Sequence, residues 1–276
     1  MKTGICHYSL RRRYAAEKWD PARLVQEVKA LGLDCVDFHA GILGKAEGAA
    51  EAVLAALAGS SVRLGSLSMS NNFNQDDPAK FKAQVDLVKA WLGVAAQVKA
   101  PASRIFGGHI PRERQGDASA AAAGKQRILD GLGQVEKEAR RLGVVLALEN
   151  HGGLPCSAEE QVAVIRQINS PFLRATIDVG NYMQCGQEGH VGTAIAAPYC
   201  AYTHFKDFRK LPDATIPRGY KLEACVIGEG AVDLKACVAA LRKAGYDGVI
   251  AIEYEGEEDE ITAVPRSVAN MKKAME

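Results

Sequence analysis

Eight short β-rich runs alternate with longer segments of helical period from one end of this 276-residue chain to the other, and no low-complexity linker interrupts them. The runs cover 3–10, 35–40, 63–69, 103–108, 144–150, 174–180, 200–205 and 249–254. The helical segments carry their own start signals. "DPARLVQEVKALG" opens with an Asp cap and a Pro in the first turn and stops at Gly32, "DPAKFKAQVDLVKAWLG" repeats that opening, and Ser157 with Glu160 reads as a capping box. Eight strand–helix units in this length predict an α/β chain that closes into a single-domain (β/α)8 TIM barrel over 1–276, with its active site at the C-terminal ends of the strands. A doubly wound sheet is the competing arrangement. It would usually place a Gly-rich phosphate loop after the first strand, and "SLRRRYAAEKW" contains no glycine.

Composition narrows what such a barrel could meet. At 47% hydrophobic there is ample material for one large core. Thirty-four Lys and Arg against 33 Asp and Glu give a formal net charge of +1, so no global field gathers nucleic acid or an anionic membrane. The seven cysteines (6, 35, 156, 185, 200, 225 and 237) include no C-x-x-C pair and read as reduced, small core residues. "MKTGICHYSLRRRY" puts its arginines after a short apolar run, the reverse of a signal peptide, and no run approaches membrane-spanning length; a cytoplasmic protein is expected.

Two stretches break the simple alternation. Residues 208–227 form a long connection with two prolines after the seventh strand, a length expected of a lid over the site. Residues 112–126 are rich in Gly and Ala, and the fourth helix is expected to begin somewhere within them.

The chemistry concentrates at the ends of the late strands. "VVLALE" ends on Glu149, "RATID" on Asp178, "CAYTH" on His204 and "VIAIE" on Glu253, at separations of 29, 26 and 49 residues. The first two intervals equal one βα unit and the third equals one unit plus the long insertion, so a barrel brings all four around one point. Any one of them alone would read as a salt-bridged strand end. Together, three carboxylates and an imidazole form a hard, oxygen-rich set suited to one divalent ion, Mn²⁺ or Mg²⁺ first, with Co²⁺ or Zn²⁺ also accommodated. Burying them costs several kcal/mol per ion unless a cation compensates. The absence of cysteine from the set argues against a structural zinc site.

Other residues are candidates for substrate contact. His7 and His39 end the first and second strands, and His109 follows "IFGG"; each competes with a role as a satisfied strand-end histidine. Lys206, two residues after His204, faces the same side of an extended strand and is placed to polarise a carbonyl, against the alternative of a salt bridge beneath the site. Asn150 and His151 open the fifth loop, where they would steady Glu149 or touch substrate. Arg218 is the candidate from the long connection. Trp19 and Trp91 read as packing residues.

The motifs "LALENHGG", "TIDVGNYM", "THFKDF", "GEGAVDL" and "IAIEYEG" resemble the xylose isomerase-like TIM barrels, a family of sugar 3-epimerases, hydroxypyruvate isomerases, inosose dehydratases and type IV apurinic endonucleases. The resemblance runs over nearly the whole chain. It implies that Glu149, Asp178, His204 and Glu253 hold the metal, that Glu149 and Glu253 are also the acid–base pair flanking a substrate carbon, and that Asp233 caps the seventh helix. Epimerases of the family often carry His three residues after the strand-six Asp, where this chain has Asn181, still able to hydrogen-bond a sugar hydroxyl. The endonuclease branch needs a trinuclear zinc site with a D-x-H pair after the seventh strand; "HFKDF" supplies Lys206 and Asp207 instead, and the chain has six histidines in all. The expected activity is therefore a metal-dependent isomerase or epimerase of a keto sugar or polyol, working through an enediolate, with a dehydratase or lyase using the same enolate chemistry as the alternative. The acidic "EGEEDE" after the eighth strand disfavours a phosphorylated substrate, whereas Arg11, Arg12, Arg13, Arg209, Lys210, Arg218 and Lys221 argue the other way; an unphosphorylated substrate is the expectation. No nucleic acid or membrane partner is expected, and a homo-oligomer is left open.

Overall fold

The computed structural model describes residues 1–110, 112–114 and 117–276. Its eight barrel strands are β1 (Lys2–Cys6), β2 (Cys35–His39), β3 (Arg63–Ser68), β4 (Ser103–Phe106), β5 (Leu146–Glu149), β6 (Leu173–Asp178), β7 (Cys200–Phe205) and β8 (Val249–Ile252). All pair in parallel in the ring order β3-β2-β1-β8-β7-β6-β5-β4. Leu67 N donates to Ala102 O and Met69 N to Arg104 O, which joins β3 to β4 and closes the (β/α)8 barrel.

Period-2 alternation sorts each strand into an outer and an inner set. Leu146 and Leu148 of β5, or Ile250 and Ile252 of β8, belong to the large outer core beneath the helices. Ala147, Tyr202, Val249 and Ala251 belong to a small separate cluster inside the ring. One further inward step along the same strands reaches Glu149, His204 and Glu253. The pattern that buries the core thus also aims the functional side chains along the barrel axis.

The expected helix signals operate as capping interactions. Asp20 accepts from Arg23 N ahead of Pro21–Ala30, Asp77 from Ala79 N and Lys80 N ahead of Pro78–Gln97, and Asp233 from Ala236 N ahead of Leu234–Lys243. Ser157 and Glu160 complete their capping box. The fourth helix is Ala118–Leu142, capped by Asp117; Gln115 and Gly116, also in that Gly- and Ala-rich stretch, lie outside the described residues.

Two expectations change. The connection after β7 is an antiparallel hairpin, Asp207–Pro212 paired with Tyr220–Cys225, and its tip spans 213–219. Backbone pairing across six residue positions replaces the open loop. Its base is fixed by the buried Asp207 carboxylate, which accepts backbone N–H bonds from Phe208, Gly228, Gly230 and Val232. The cysteines are not all core: Cys6, Cys35, Cys225 and Cys237 are buried, Cys156 and Cys200 are partly exposed, and Cys185 is exposed. Among the described residues, no helix is long and apolar enough to cross a membrane.

Candidate active site

The four strand ends meet. Glu149, Asp178, His204 and Glu253 are buried, and each offers a donor atom within 4.8 Å of the others. His204 Nδ1 stands 3.2 Å from Glu149 Oε1 and 3.5 Å from Glu253 Oε2. Its Nε2 lies 3.0 Å from Asp37 Oδ2, and the Asp37 oxygens are in turn 2.6 and 2.7 Å from Ser68 Oγ. This arrangement orients the imidazole with Nε2–H toward Asp37 and Nδ1 toward the carboxylates, the relay that tunes a metal-ligating histidine.

Asp178 is oriented from two sides. Its Oδ1 accepts from Gly180 N and Asn181 N, both at 3.0 Å. Asn150 pairs with the Asp178 backbone in both directions, Nδ2 donating to the carbonyl and Oδ1 accepting from the amide, each at 2.9 Å. Asn150 therefore steadies Asp178 more directly than Glu149. Gly180 is required by proximity, because a Cβ there would meet Lys206 Cγ at 2.5 Å.

Cations of the protein already enter the cluster. Arg104 Nε is 3.2 Å from Glu149 Oε2, and Lys206 Nζ is 3.2 Å from Asp178 Oδ2, 2.9 Å from Glu253 Oε2 and 3.1 Å from Glu255 Oε1. Compensation of the buried carboxylates is thus partly internal, and Lys206 makes the salt bridge that was its alternative role. That compensation is also incomplete in geometry: among the described residues, Glu149 Oε2 and Asp178 Oδ2 have no aligned hydrogen-bond donor. Two orphaned carboxylate oxygens beside an imidazole nitrogen fit a hard divalent cation.

The charges shift one another strongly. Burial pushes Glu149 up, but Arg104 and His204 outweigh it and hold it at about 2. Against the same burial, His204, Lys206 and Arg104 hold Glu253 well below the usual carboxylate range. Asp178 moves the other way, raised by burial and by the neighbouring Glu149 and Glu253 despite Lys206. Burial disfavours the charged forms of His204 and Lys206, yet the surrounding carboxylates raise both well above their ordinary values.

Two cavities flank the cluster. One, of about 430 Å³, is bordered by His7, Tyr8, His39, Ser70, Phe106 and both glutamates. His39 Nδ1 accepts from Gly41 N at 2.9 Å, so Nε2–H points to Ser70 Oγ at 2.8 Å. Burial and the nearby Arg104 lower His39 to about 4, while burial and His39 lower His7 to about 3. The two rings stack at 5.4 Å, and His7 Nδ1 has no partner among the described residues. The other cavity, about 710 Å³, is bordered by His109, Asn150, His151, Asn181, Lys206 and Glu255. His151 stacks on Phe106 at 4.0 Å and borders both spaces. Asn181 Nδ2 is buried without a partner among the described residues.

Arg218 is placed differently. Its guanidinium donates to Tyr220 O at 2.9 Å and Gln184 O at 3.1 Å, tying the hairpin to the turn after β6, and it borders neither of the two cavities. Asp37, Arg104, Ser68 and Glu255 are the site residues that sequence reading missed. The available signal was weak but present: Asp37 interrupts the apolar run "CVDFH", and Arg104 falls inside a strand.

Residues 25–274 match the family model of the xylose isomerase-like TIM barrel. The chain belongs to this family. It is similar to an inosose dehydratase from Bacillus licheniformis, 28% identical over 49% of this chain and 48% of that protein, so the match spans about half of that relative. It is also similar to the L-ribulose-5-phosphate 3-epimerase UlaE of Salmonella paratyphi C, 23% identical over 75% of this chain and 69% of that protein. Among solved structures, D-psicose 3-epimerase with D-tagatose from Clostridium cellulolyticum superposes over 100% of both chains with a TM-score of 0.75 at 16% identity, a likeness of fold.

Proposed function

We propose that the protein is a divalent-metal-dependent isomerase or epimerase of an unphosphorylated keto sugar or polyol. The observation that carries this reading is the meeting of Glu149, Asp178, His204 and Glu253 at one point between two polar cavities. These four would hold the ion, Mn²⁺ or Mg²⁺ suiting the donors best. When bound, it supplies Lewis-acid stabilisation of negative charge on two adjacent substrate oxygens.

The chain's own residues then manage the proton. Glu149 and Glu253 are both held ionised and project from strands on different sides of the cluster. One takes the proton from the carbon next to the carbonyl and later releases it to solvent, while the other takes up a proton from solvent and delivers it to the opposite face of that carbon. Lys206 Nζ, between Asp178 and Glu253, is positioned to draw electron density from the carbonyl. The neutral imidazoles of His7 and His39 and the free amide of Asn181 offer hydrogen bonds to hydroxyl groups. Arg209 is paired with Glu229 and Glu258, and Lys210 with Glu188, while Glu255 borders both cavities. That distribution supports a neutral substrate.

Elimination of water is the second reading. The match to an inosose dehydratase favours it, as does the ammonium of Lys206, which could protonate a leaving hydroxyl. Incubating a panel of keto sugars and keto-inositols with Mn²⁺-loaded protein in D₂O separates the two. Deuterium beside the carbonyl with the carbon skeleton's hydroxyls intact supports isomerisation or epimerisation, and loss of a hydroxyl supports the dehydratase. Neither change with any member of the panel would refute both.

A further inference from the structure

The end of β1 brings a donor of another kind to the cluster. Cys6 is fully buried, and its Sγ lies 3.4 Å from Glu253 Oε1. With His204 and Glu253 it forms a second set of three donor atoms, all within 4.8 Å of one another. This set shares two residues with the four-residue set and substitutes one sulfur for Glu149 and Asp178. Glu149 is paired with Arg104, and Asp178 and Glu253 share Lys206, so Glu253 is the carboxylate that meets the ammonium and the thiol together. The separations also suit a small coordination shell. Around a tetrahedral ion with bonds of about 2.0–2.3 Å, neighbouring ligand atoms stand roughly 3.3–3.7 Å apart; Cys6 Sγ is 3.4 Å from Glu253 Oε1, and His204 Nδ1 is 3.5 Å from the other oxygen, Oε2, of the same carboxylate.

We propose that the centre has a second binding mode, in which a thiophilic divalent ion such as Cd²⁺ or Zn²⁺ is held by Cys6, His204 and Glu253 with water completing the shell. Binding forms a metal–sulfur bond, releases the thiol proton to solvent and transfers no electron. Soft thiolate selects such ions, whereas the carboxylates of Glu149 and Asp178 select Mn²⁺ and Mg²⁺. Because both modes use His204 and Glu253, the two classes of ion exclude one another. A soft ion in the second mode would be held without Glu149 and Asp178 as ligands and would act as an inhibitor.

The inference rests on reading the four-residue cluster as a metal centre, and its test separates the two ideas. Metal-free full-length protein carrying Cys156→Ser and Cys185→Ser, which removes the neighbouring surface thiols, is titrated with Cd²⁺ and separately with Mn²⁺. Near-ultraviolet thiolate-to-cadmium absorption reports the first, and electron paramagnetic resonance of free Mn²⁺ the second. The expected result is a charge-transfer band at one equivalent of Cd²⁺. Adding Cys6→Ser, or Cys6→Ala if the serine variant misfolds, should abolish the band and shift the Cd²⁺-to-Mn²⁺ affinity ratio about tenfold or more toward Mn²⁺. Asp178→Asn should shift that ratio in the opposite direction. Mn²⁺ binding with no cadmium band, or a ratio unmoved by Cys6→Ser and Cys6→Ala, overturns the second mode alone. Failure to bind either ion overturns the metal centre itself, and this mode with it.

Discussion

Strands β1–β3 and strands β5–β8 end at the same mouth of the barrel, yet they bring opposite materials to it. The late strands contribute charge: three carboxylates and an imidazole, closed in by Lys206 and reached by Arg104 from β4. The early strands contribute His7 and His39, which burial keeps neutral, together with Ser70 from the loop after β3. Asp37 and Cys6 are the exceptions, the first holding His204 and the second donating to Glu253. The difference separates two tasks. A polyol needs neutral donors and acceptors along its length, and proton transfer at one carbon needs concentrated charge.

The largest expected effect lies on the charged side. Glu149→Gln or Glu253→Gln should lower turnover by a factor on the order of 10² to 10⁴, the usual contribution of a general acid or base. Metal content must be compared in the same samples, since each change also removes a charged ligand. Near-normal turnover with metal still bound would eliminate the two-carboxylate mechanism.

Metal removal should be felt next, and only through that half of the mouth. At an ion concentration about 100 times Kd, binding stabilises by about 2.7 kcal/mol, a rise in Tm of roughly 5–10 °C for a domain of this size. EDTA should abolish the rise, and Asp178→Asn should blunt it while His39→Gln does not. Equal responses in the two variants would erase the distinction between the halves.

The neutral side should show smaller, different losses. His39→Gln and Asn181→Ala should each lower kcat/KM about tenfold, mainly through KM, as expected when one hydrogen bond to a substrate hydroxyl is lost. His39 and His7 also make the fold acid-sensitive. Their folded-state values lie below the ordinary 6.5, at about 4 and about 3, so their stabilising contribution is complete above pH 6.5 and is lost as pH falls through those values. Melts of the metal-free protein between pH 7 and 4 should show that decline, and His39→Gln should flatten it. An unchanged slope in the variant would contradict a neutral, buried His39.

The hairpin carries the smallest expected effect. Limited proteolysis should cut first within 213–219, and a bound sugar should slow the cut a few-fold. Cleavage equally fast with a ligand that demonstrably binds would make the hairpin a surface feature without a covering role.

The eight strands and the four convergent side chains were legible because both follow from period-2 alternation and the length of a βα unit, which are local properties. The hairpin was harder to read. Its two strands, "DFRKLP" and "YKLEAC", mix exposed charge with apolar residues, and their pairing depends on Asp207 gathering amides from residues 228–232. Asp37 and Arg104 escaped notice for a related reason. A charged residue inside a strand reads as a surface position, and its partners His204 and Glu149 lie 167 and 45 residues away along the chain. Arg218 was legible as a cation but not as a tether, since its acceptors are backbone carbonyls, which every residue carries.

Elemental analysis of the protein reloaded with Mn²⁺ and freed of excess ion by gel filtration bears on the central claim without requiring a substrate. Four convergent donors predict about one divalent ion per chain, falling to near zero in a His204→Ala, Asp178→Asn double variant that still melts cooperatively. A wild-type protein that retains no Mn²⁺, Mg²⁺, Co²⁺ or Zn²⁺, and whose melting temperature ignores all four, would contradict it.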